Sequence, residues 1–229
     1  MDNEKKYCII NLKAYEEVFN TNLTGFIQEV QACSAKAQEI GVELILCVNS
    51  YDIKEAVMNS SSVQIYAQHI DPVGFGSHTG HFPTICALRL GALGTLISHS
   101  EHYLTVEEVM SRVQSAQELY LETCVCVRDN QRLKELKKHN VSGLVALEPP
   151  ELIGGDISVT TANPQIITKA TQITQNSQMK LLVGAGVKTG DDVKMAIELG
   201  AHGILVASGV IKAHNIKETV LDLLKGFEK

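Results

Sequence analysis

Glu148 closes a short apolar run, Gly143 to Leu147, and is followed at once by Pro149 and Pro150, then by Glu151-Leu152-Ile153 and the pair Gly154-Gly155. The prolines fix their own φ angles and restrict the residue before each of them. The glycines can absorb large φ/ψ changes. This is the pattern of a strand that delivers a carboxylate to its C-terminal tip, beside a loop with one stiff end and one hinged end. Such a carboxylate suits general-base work, because closure of the loop strips water from around it.

Two further groups follow apolar runs in the same way. Lys13 ends the segment Asn11-Leu12-Lys13, and His99 sits in Ser98-His99-Ser100-Glu101. Taken singly, Lys13 reads as a surface lysine, His99 as a core histidine and Glu148 as an exposed loop residue. Together they suit proton abstraction next to a carbonyl. The carboxylate takes the proton, the imidazole polarises the carbonyl oxygen, and the ammonium offsets the charge of the enediolate. Two small-residue turns, Gly184-Ala185-Gly186 and Ala207-Ser208-Gly209, open onto helical segments. Their backbone N–H groups can approach a phosphate closely, and a nearby helix start favours negative charge.

These groups lie far apart in the chain, so the fold must gather the ends of many runs. Eight runs rich in Val, Ile, Leu and Cys do not alternate with polar residues: Tyr7–Leu12, Glu43–Val48, Val63–Ala67, Gly94–Ile97, Glu122–Val127, Gly143–Leu147, Lys180–Val183 and Gly203–Val206. Runs of this kind suit parallel strands covered on both faces. Amphipathic segments lie between them, at about 22–40, 52–59, 83–91, 105–119, 129–138, 163–177, 189–199 and 215–226. Asn163 before Pro164 reads as an N-cap with proline at the first helical position, and Thr105 with Glu108 as a capping box. Gly41 and Gly200 stand where C-terminal caps belong. Eight strand–helix units without a linker indicate a single α/β domain over residues 1–229, a closed (β/α)8 barrel. A doubly wound open sheet is the second choice, but no G-x-G-x-x-G follows the first strand. In a barrel the chemistry belongs at the C-terminal ends of the strands, with a recurrent phosphate site after strands 7 and 8.

The net charge of −6 and the lack of a basic run argue against nucleic acid and anionic membrane as partners. No apolar h-region follows the polar start Met1-Asp2-Asn3-Glu4-Lys5-Lys6, and no run approaches a membrane span in length, so a cytoplasmic protein is expected. The six cysteines lie mostly within apolar runs and include no C-x-x-C pair, which favours buried, reduced thiols. Cys124 and Cys126 should face the same side of a strand.

Several segments together resemble the triosephosphate isomerase family, in particular its short archaeal-type branch. They are Asn11-Leu12-Lys13; Ile65 to Gly74 (IYAQHIDPVG); His78-Thr79-Gly80-His81; His99-Ser100-Glu101; Glu148 to Gly154 (EPPELIG); Gly184-Ala185-Gly186; and Ala207-Ser208-Gly209. This family is itself a standard illustration of the base, electrophile and lid arrangement. The resemblance implies a cofactor-independent enzyme of glycolysis and gluconeogenesis, without a metal, that interconverts dihydroxyacetone phosphate and glyceraldehyde 3-phosphate. It implies Glu148 as general base, His99 as neutral electrophile, and Lys13 as the cation for enediolate and phosphate, with Asn11 positioning the substrate. Backbone groups at Ile153, Gly186, Ala207 and Ser208 would hold the phosphate, residues 149–158 would form the closing lid, and Glu101 would be a buried partner of Lys13. The long polar loop at 71–83 would reach into a neighbouring subunit with Thr79 at its tip, giving a homo-oligomer, a tetramer rather than a dimer.

One departure stands out. The family has Gly-Thr-Gly after the lid isoleucine, and this chain has Gly154-Gly155-Asp156. A threonine hydroxyl is lost and a carboxylate is gained at the phosphate end of the lid, so an isomerase with altered affinity or lid kinetics is expected. Replacing Gly155-Asp156 by Thr-Gly should then lower KM or raise kcat. Two other readings compete. A zinc-dependent hydrolase is invited by His69, His78, His81, His99 and His102, but no accompanying carboxylates complete a metal set. A barrel weakened in catalysis and kept for phosphate binding, or an isomerase of a related keto-phosphate, would share the glycine turns. Retention of Lys13, His99 and Glu148 argues against loss of the chemistry.

Overall fold

In the computed structural model, residues 5–150 and 163–228 are described. Eight strands run β1 Lys6–Asn11, β2 Val42–Val48, β3 Gln64–Ala67, β4 Gly94–Ile97, β5 Glu122–Val127, β6 Gly143–Leu147, β7 Met179–Val183 and β8 Gly203–Val206. All pair in parallel with their sequence neighbours, and β1 closes on β8. The closed barrel replaces the open-sheet alternative. Among the described residues the helices are α1 Thr21–Gln31, α2 Ser34–Glu39, α3 Ile53–Asn59, α4 Thr84–Arg89, α5 Val106–Glu118, α6 Asn130–Lys138, α7 Pro164–Thr174, α8 Gly190–Glu198, α9 Ser208–Ile211 and α10 Ile216–Lys225.

Strand alternation splits the core in two. Along β1, Tyr7 and Ile9 join Ile45, Tyr66, Leu96, Leu144 and Leu182 in the barrel interior. Their neighbours Cys8 and Ile10 belong to the larger layer between strands and helices. Both faces of each strand are therefore covered, which is why the runs do not alternate with polar residues. Cys124 and Cys126 share the interior face, and all six cysteines are free thiols, five of them buried. Tyr66 is fully buried against Gly94, where a Cβ would come 2.6 Å from its ring. Only glycine lets β4 pass so large a side chain.

The helix signals hold with two corrections. The Thr105–Glu108 capping box is formed, and a second one joins Thr189 to Asp192. Gly41 and Gly200 follow their helices at φ 71° and 94°. Pro164 does open α7, but the Asn163 side chain makes no capping bond. The segment 22–40 is two helices rather than one. The ladder tightens at Cys33, whose N–H bonds to Val30 O only three residues back, and buried Cys33 lies with its thiol 3.6 Å from Lys217 O. Anchoring that thiol against α10 interrupts the helical period, which a sequence pattern does not register.

Candidate active site

The interior parity of β1 runs to its last residue and turns Asn11 inward, where it is buried. Its Oδ1 accepts the Lys13 N–H at 3.0 Å. Lys13 adopts φ 50°, a left-handed conformation that costs a residue with a Cβ. The turn is held from outside: Asn49 Nδ2 and Gln68 Nε2 donate to Lys13 O at 2.6 and 3.0 Å. The Lys13 ammonium meets Glu101 Oε1 at 2.7 Å. Glu101 is thus a partner of Lys13 as expected, but its side chain is 59% exposed in the single chain, not buried. Ion pairs stay exposed at little cost when one partner lies at an open rim.

At the end of β4, Ser98 takes φ 61° and breaks the strand alternation, so that the next residue also faces the barrel mouth. Leu104 N–H donates to Ser98 Oγ at 3.2 Å and ties the loop back. His99 is buried, and its Nδ1 accepts the Glu101 N–H at 3.2 Å. A ring nitrogen that accepts carries no proton, so in the neutral ring the proton sits on Nε2. Nε2 lies 3.3 Å from Glu148 Oε1.

Glu148 extends the interior parity of Leu144 and Ala146, and only 4% of it is exposed. Its second oxygen, Oε2, has no hydrogen-bond partner among the described residues. A buried carboxylate with a spare lone-pair set is costly unless something binds there. The Cys126 thiol stands beside it and is held protonated, chiefly by the neighbouring Cys124 thiol, then by burial and by the Glu148 charge. Gly184 on the next strand end makes room for Glu148.

A single cleft is lined by Asn11, Lys13, His99, Glu148, Gly186, Ala207 and Ser208, together with Tyr15, Gly184, Val187, Lys188 and Gly209. Of the residues singled out in the sequence, only Ile153, with the lid and Gly154-Gly155-Asp156, lies outside the described residues. Tyr15, Lys188 and Asn49 were not singled out for the site. None carries a local signal, and their places follow from how neighbouring loops stack. Among the described residues no three His, Cys, Asp or Glu side chains converge as a metal ion would require, and no helix is long and apolar enough to cross a membrane.

The loop at 71–83 is pinned at its base. Asp71 and Pro83 form an isolated parallel bridge, Asp71 N–H donates to Phe82 O at 2.7 Å, and Phe82 N–H donates to Asp71 Oδ2 at 2.8 Å. Arg112 clamps the same carboxylate at 3.0 Å. A second cavity, lined by Asn49, Gln68, His69, Glu101 and His102 among others, opens beside the first and shares Asn11 and His99 with it.

Comparison with known proteins agrees with this geometry. The family model described as triosephosphate isomerase matches residues 6–224. The triosephosphate isomerase of Methanobrevibacter smithii is 35% identical over 218 residues, covering 94% of this chain and 96% of the relative. That of Methanocaldococcus jannaschii is 36% identical over 221 residues, covering 95% and 98%. That of Thermoplasma volcanium is 34% identical over 219 residues, again covering 95% and 98%. A match of this extent, on a closed eight-stranded barrel with these residues at its mouth, means that the chain belongs to the triosephosphate isomerase family.

Proposed function

We propose that the chain interconverts dihydroxyacetone phosphate and glyceraldehyde 3-phosphate, with Glu148, His99 and Lys13 as its catalytic groups. The observation that carries the assignment is the pairing of Glu148 Oε1 with His99 Nε2 at 3.3 Å, with His99 Nδ1 already occupied as an acceptor. The substrate would enter between these groups. Glu148 takes the proton from the carbon next to the carbonyl, while the His99 Nε2–H donates to the carbonyl oxygen. Lys13 offsets the charge of the resulting enediolate, His99 relays the hydroxyl proton from one enediol oxygen to the other, and Glu148 returns its proton to the adjacent carbon. Atoms balance without an added reagent, so no cofactor is called for. Asn11 fixes the Lys13 turn, and the backbone of Gly186, Ala207 and Ser208, with Ile153, receives the phosphate. Water exclusion by the lid protects an enediol phosphate that would otherwise eliminate its phosphate.

Coupled turnover of glyceraldehyde 3-phosphate tests this, with Glu148→Gln alongside. Robust turnover lost in that variant is the expected result. Equal turnover in both proteins would remove Glu148 from the role, and none in well-folded wild type would redirect the site to a related keto-phosphate.

The same reading includes a cytoplasmic homo-oligomer, a tetramer before a dimer, joined through the loop at 71–83. Its support is the cavity beside the catalytic cleft, which leaves room for a neighbour's loop. Phe75 on that loop is 62% exposed, a large apolar ring that a neighbouring subunit would cover.

A further inference from the structure

We infer that Tyr15 and Lys212 form a strap across the rim of the cleft, joining the turn that carries Lys13 to the turn that receives the phosphate, and that both are positioning residues for phosphate affinity; the assignment deepens the isomerase reading and rests on it. The two turns leave adjacent strands, since Ile10 of β1 pairs with Val206 of β8. The Lys212 ammonium lies 4.9 Å from the centroid of the Tyr15 ring. That is inside the reach of about 6 Å over which a cation is drawn to an aromatic face. Tyr15 in turn lines the cleft together with Lys13, Ser208 and Gly209.

Each partner is anchored on its own side. Tyr15 stands two residues after Lys13 and packs, partly buried, against the core; its carbonyl accepts the N–H of buried Val18 at 3.3 Å. Lys212 ends α9, and its N–H donates to Ser208 O at 3.0 Å, so a shift of Lys212 moves the Ser208 backbone with it. No side-chain cap holds the start of α9 at Ala207. Buried Val210 and Ile211 seat that short helix on the core, and the strap fixes its outer rim. A surface cation resting on a ring is by itself an ordinary contact. This one is set apart because it bridges two turns whose separation a bound phosphate must match. On the opposite side the Lys13 turn is already held by Asn49 and Gln68. Where binding groups come from two loops, holding them at a fixed separation beforehand lowers the ordering cost of binding.

The test compares wild type with Tyr15→Leu, Tyr15→Phe, Lys212→Gln, Lys212→Arg, the double variant Tyr15→Leu/Lys212→Gln and, as a control for charge alone, Lys217→Gln on the exposed face of α10. The Kd of inorganic phosphate is read by calorimetry, and KM and kcat are read for glyceraldehyde 3-phosphate. Tyr15→Leu and Lys212→Gln should each raise the phosphate Kd and KM by about three-fold with kcat nearly unchanged, and the double variant should lose no more than either single change. Tyr15→Phe and Lys212→Arg keep a ring and a cation and should stay close to wild type, and Lys217→Gln should show little. Losses that multiply in the double variant would mean that the two residues act separately and would overturn the strap. A loss in Tyr15→Phe equal to that in Tyr15→Leu would overturn it too, because the phenol hydroxyl rather than the ring would be the working group. So would an unchanged phosphate Kd in both single variants. Phosphate binding that depends on both residues in a protein without triose phosphate turnover would remove the isomerase reading and keep the strap. Turnover with a phosphate Kd indifferent to them would do the reverse.

Discussion

Gly184 stands where Glu148 needs the space: a Cβ at position 184 would come 2.7 Å from Glu148 Cγ. The glycine after β7 thereby sets the position of the carboxylate after β6, and its N–H, bonded to Leu147 O at 2.9 Å, holds the two strand ends in register. Gly184→Ala should push the carboxylate off His99. A misplacement of about an ångström costs on the order of 100-fold in kcat, and the overpacking costs ~1–3 kcal/mol of stability. Steady-state kinetics with a denaturant titration checks both, and wild-type kcat in this variant would show that Glu148 has other room.

Glu148→Gln should separate activity from stability. The carboxylate is buried, and one of its oxygens lacks a partner among the described residues, so its charge adds little to folding. We expect kcat to fall by about 10²–10⁴-fold while the melting temperature stays level or rises. A clear drop in melting temperature would mean that the carboxylate serves as a structural pair.

Asn49 acts on the site through the Lys13 turn, which it bonds at 2.6 Å. Asn49→Ala removes one of two side-chain donors to Lys13 O and should cost ~1 kcal/mol of stability. The strained turn at Lys13 would then relax, raising KM by about five-fold. Retention of wild-type KM would show that Gln68 alone suffices.

His69 gives the fold an acid limit. Its ring stacks on His102 with centroids 4.6 Å apart, and its Nε2 lies 3.2 Å from Asp71 Oδ1, a carboxylate also faced by Arg112 and His81. Burial pushes its pKa below the usual imidazole range, against the opposing pull of Asp71. The unfolded chain therefore takes up a proton at a pH where the folded chain does not. Stability is full above the ordinary histidine value of about 6.5 and falls as pH drops below it. His69→Gln should flatten that part of a plot of melting temperature against pH, and an unchanged slope would assign the effect elsewhere.

Phe75 tests assembly. Besides its exposure, its ring is touched by Arg89, whose guanidinium carbon lies 5.1 Å from the centroid. Phe75→Asp should move the sedimenting mass toward the single-chain 25.0 kDa, with turnover falling alongside. A wild-type mass for this variant would place the interface elsewhere.

The barrel was legible from the sequence because strands buried on both faces leave unbroken apolar runs, and each of the eight runs matches a strand to within a residue at either end. Lys13 and Glu148 were legible because each directly follows such a run, and His99 because it lies one residue beyond another, and strand ends are where a barrel exposes side chains to one mouth. The turns after β7 and β8 were legible from their small residues. Tertiary structure decided the rest. The interruption of 22–40 at Cys33 depends on α10, nearly two hundred residues away in the chain. The exposure of Glu101, the left-handed turns at Lys13 and Ser98 and the support from Asn49 and Gln68 arise from contacts between separate loops. Local pattern records which face of an element is apolar; it does not record which neighbour's backbone closes a turn or which glycine clears a space. Periodicity and strand-end chemistry determined the architecture and pointed to the groups proposed to react, and packing between loops set the distances between them.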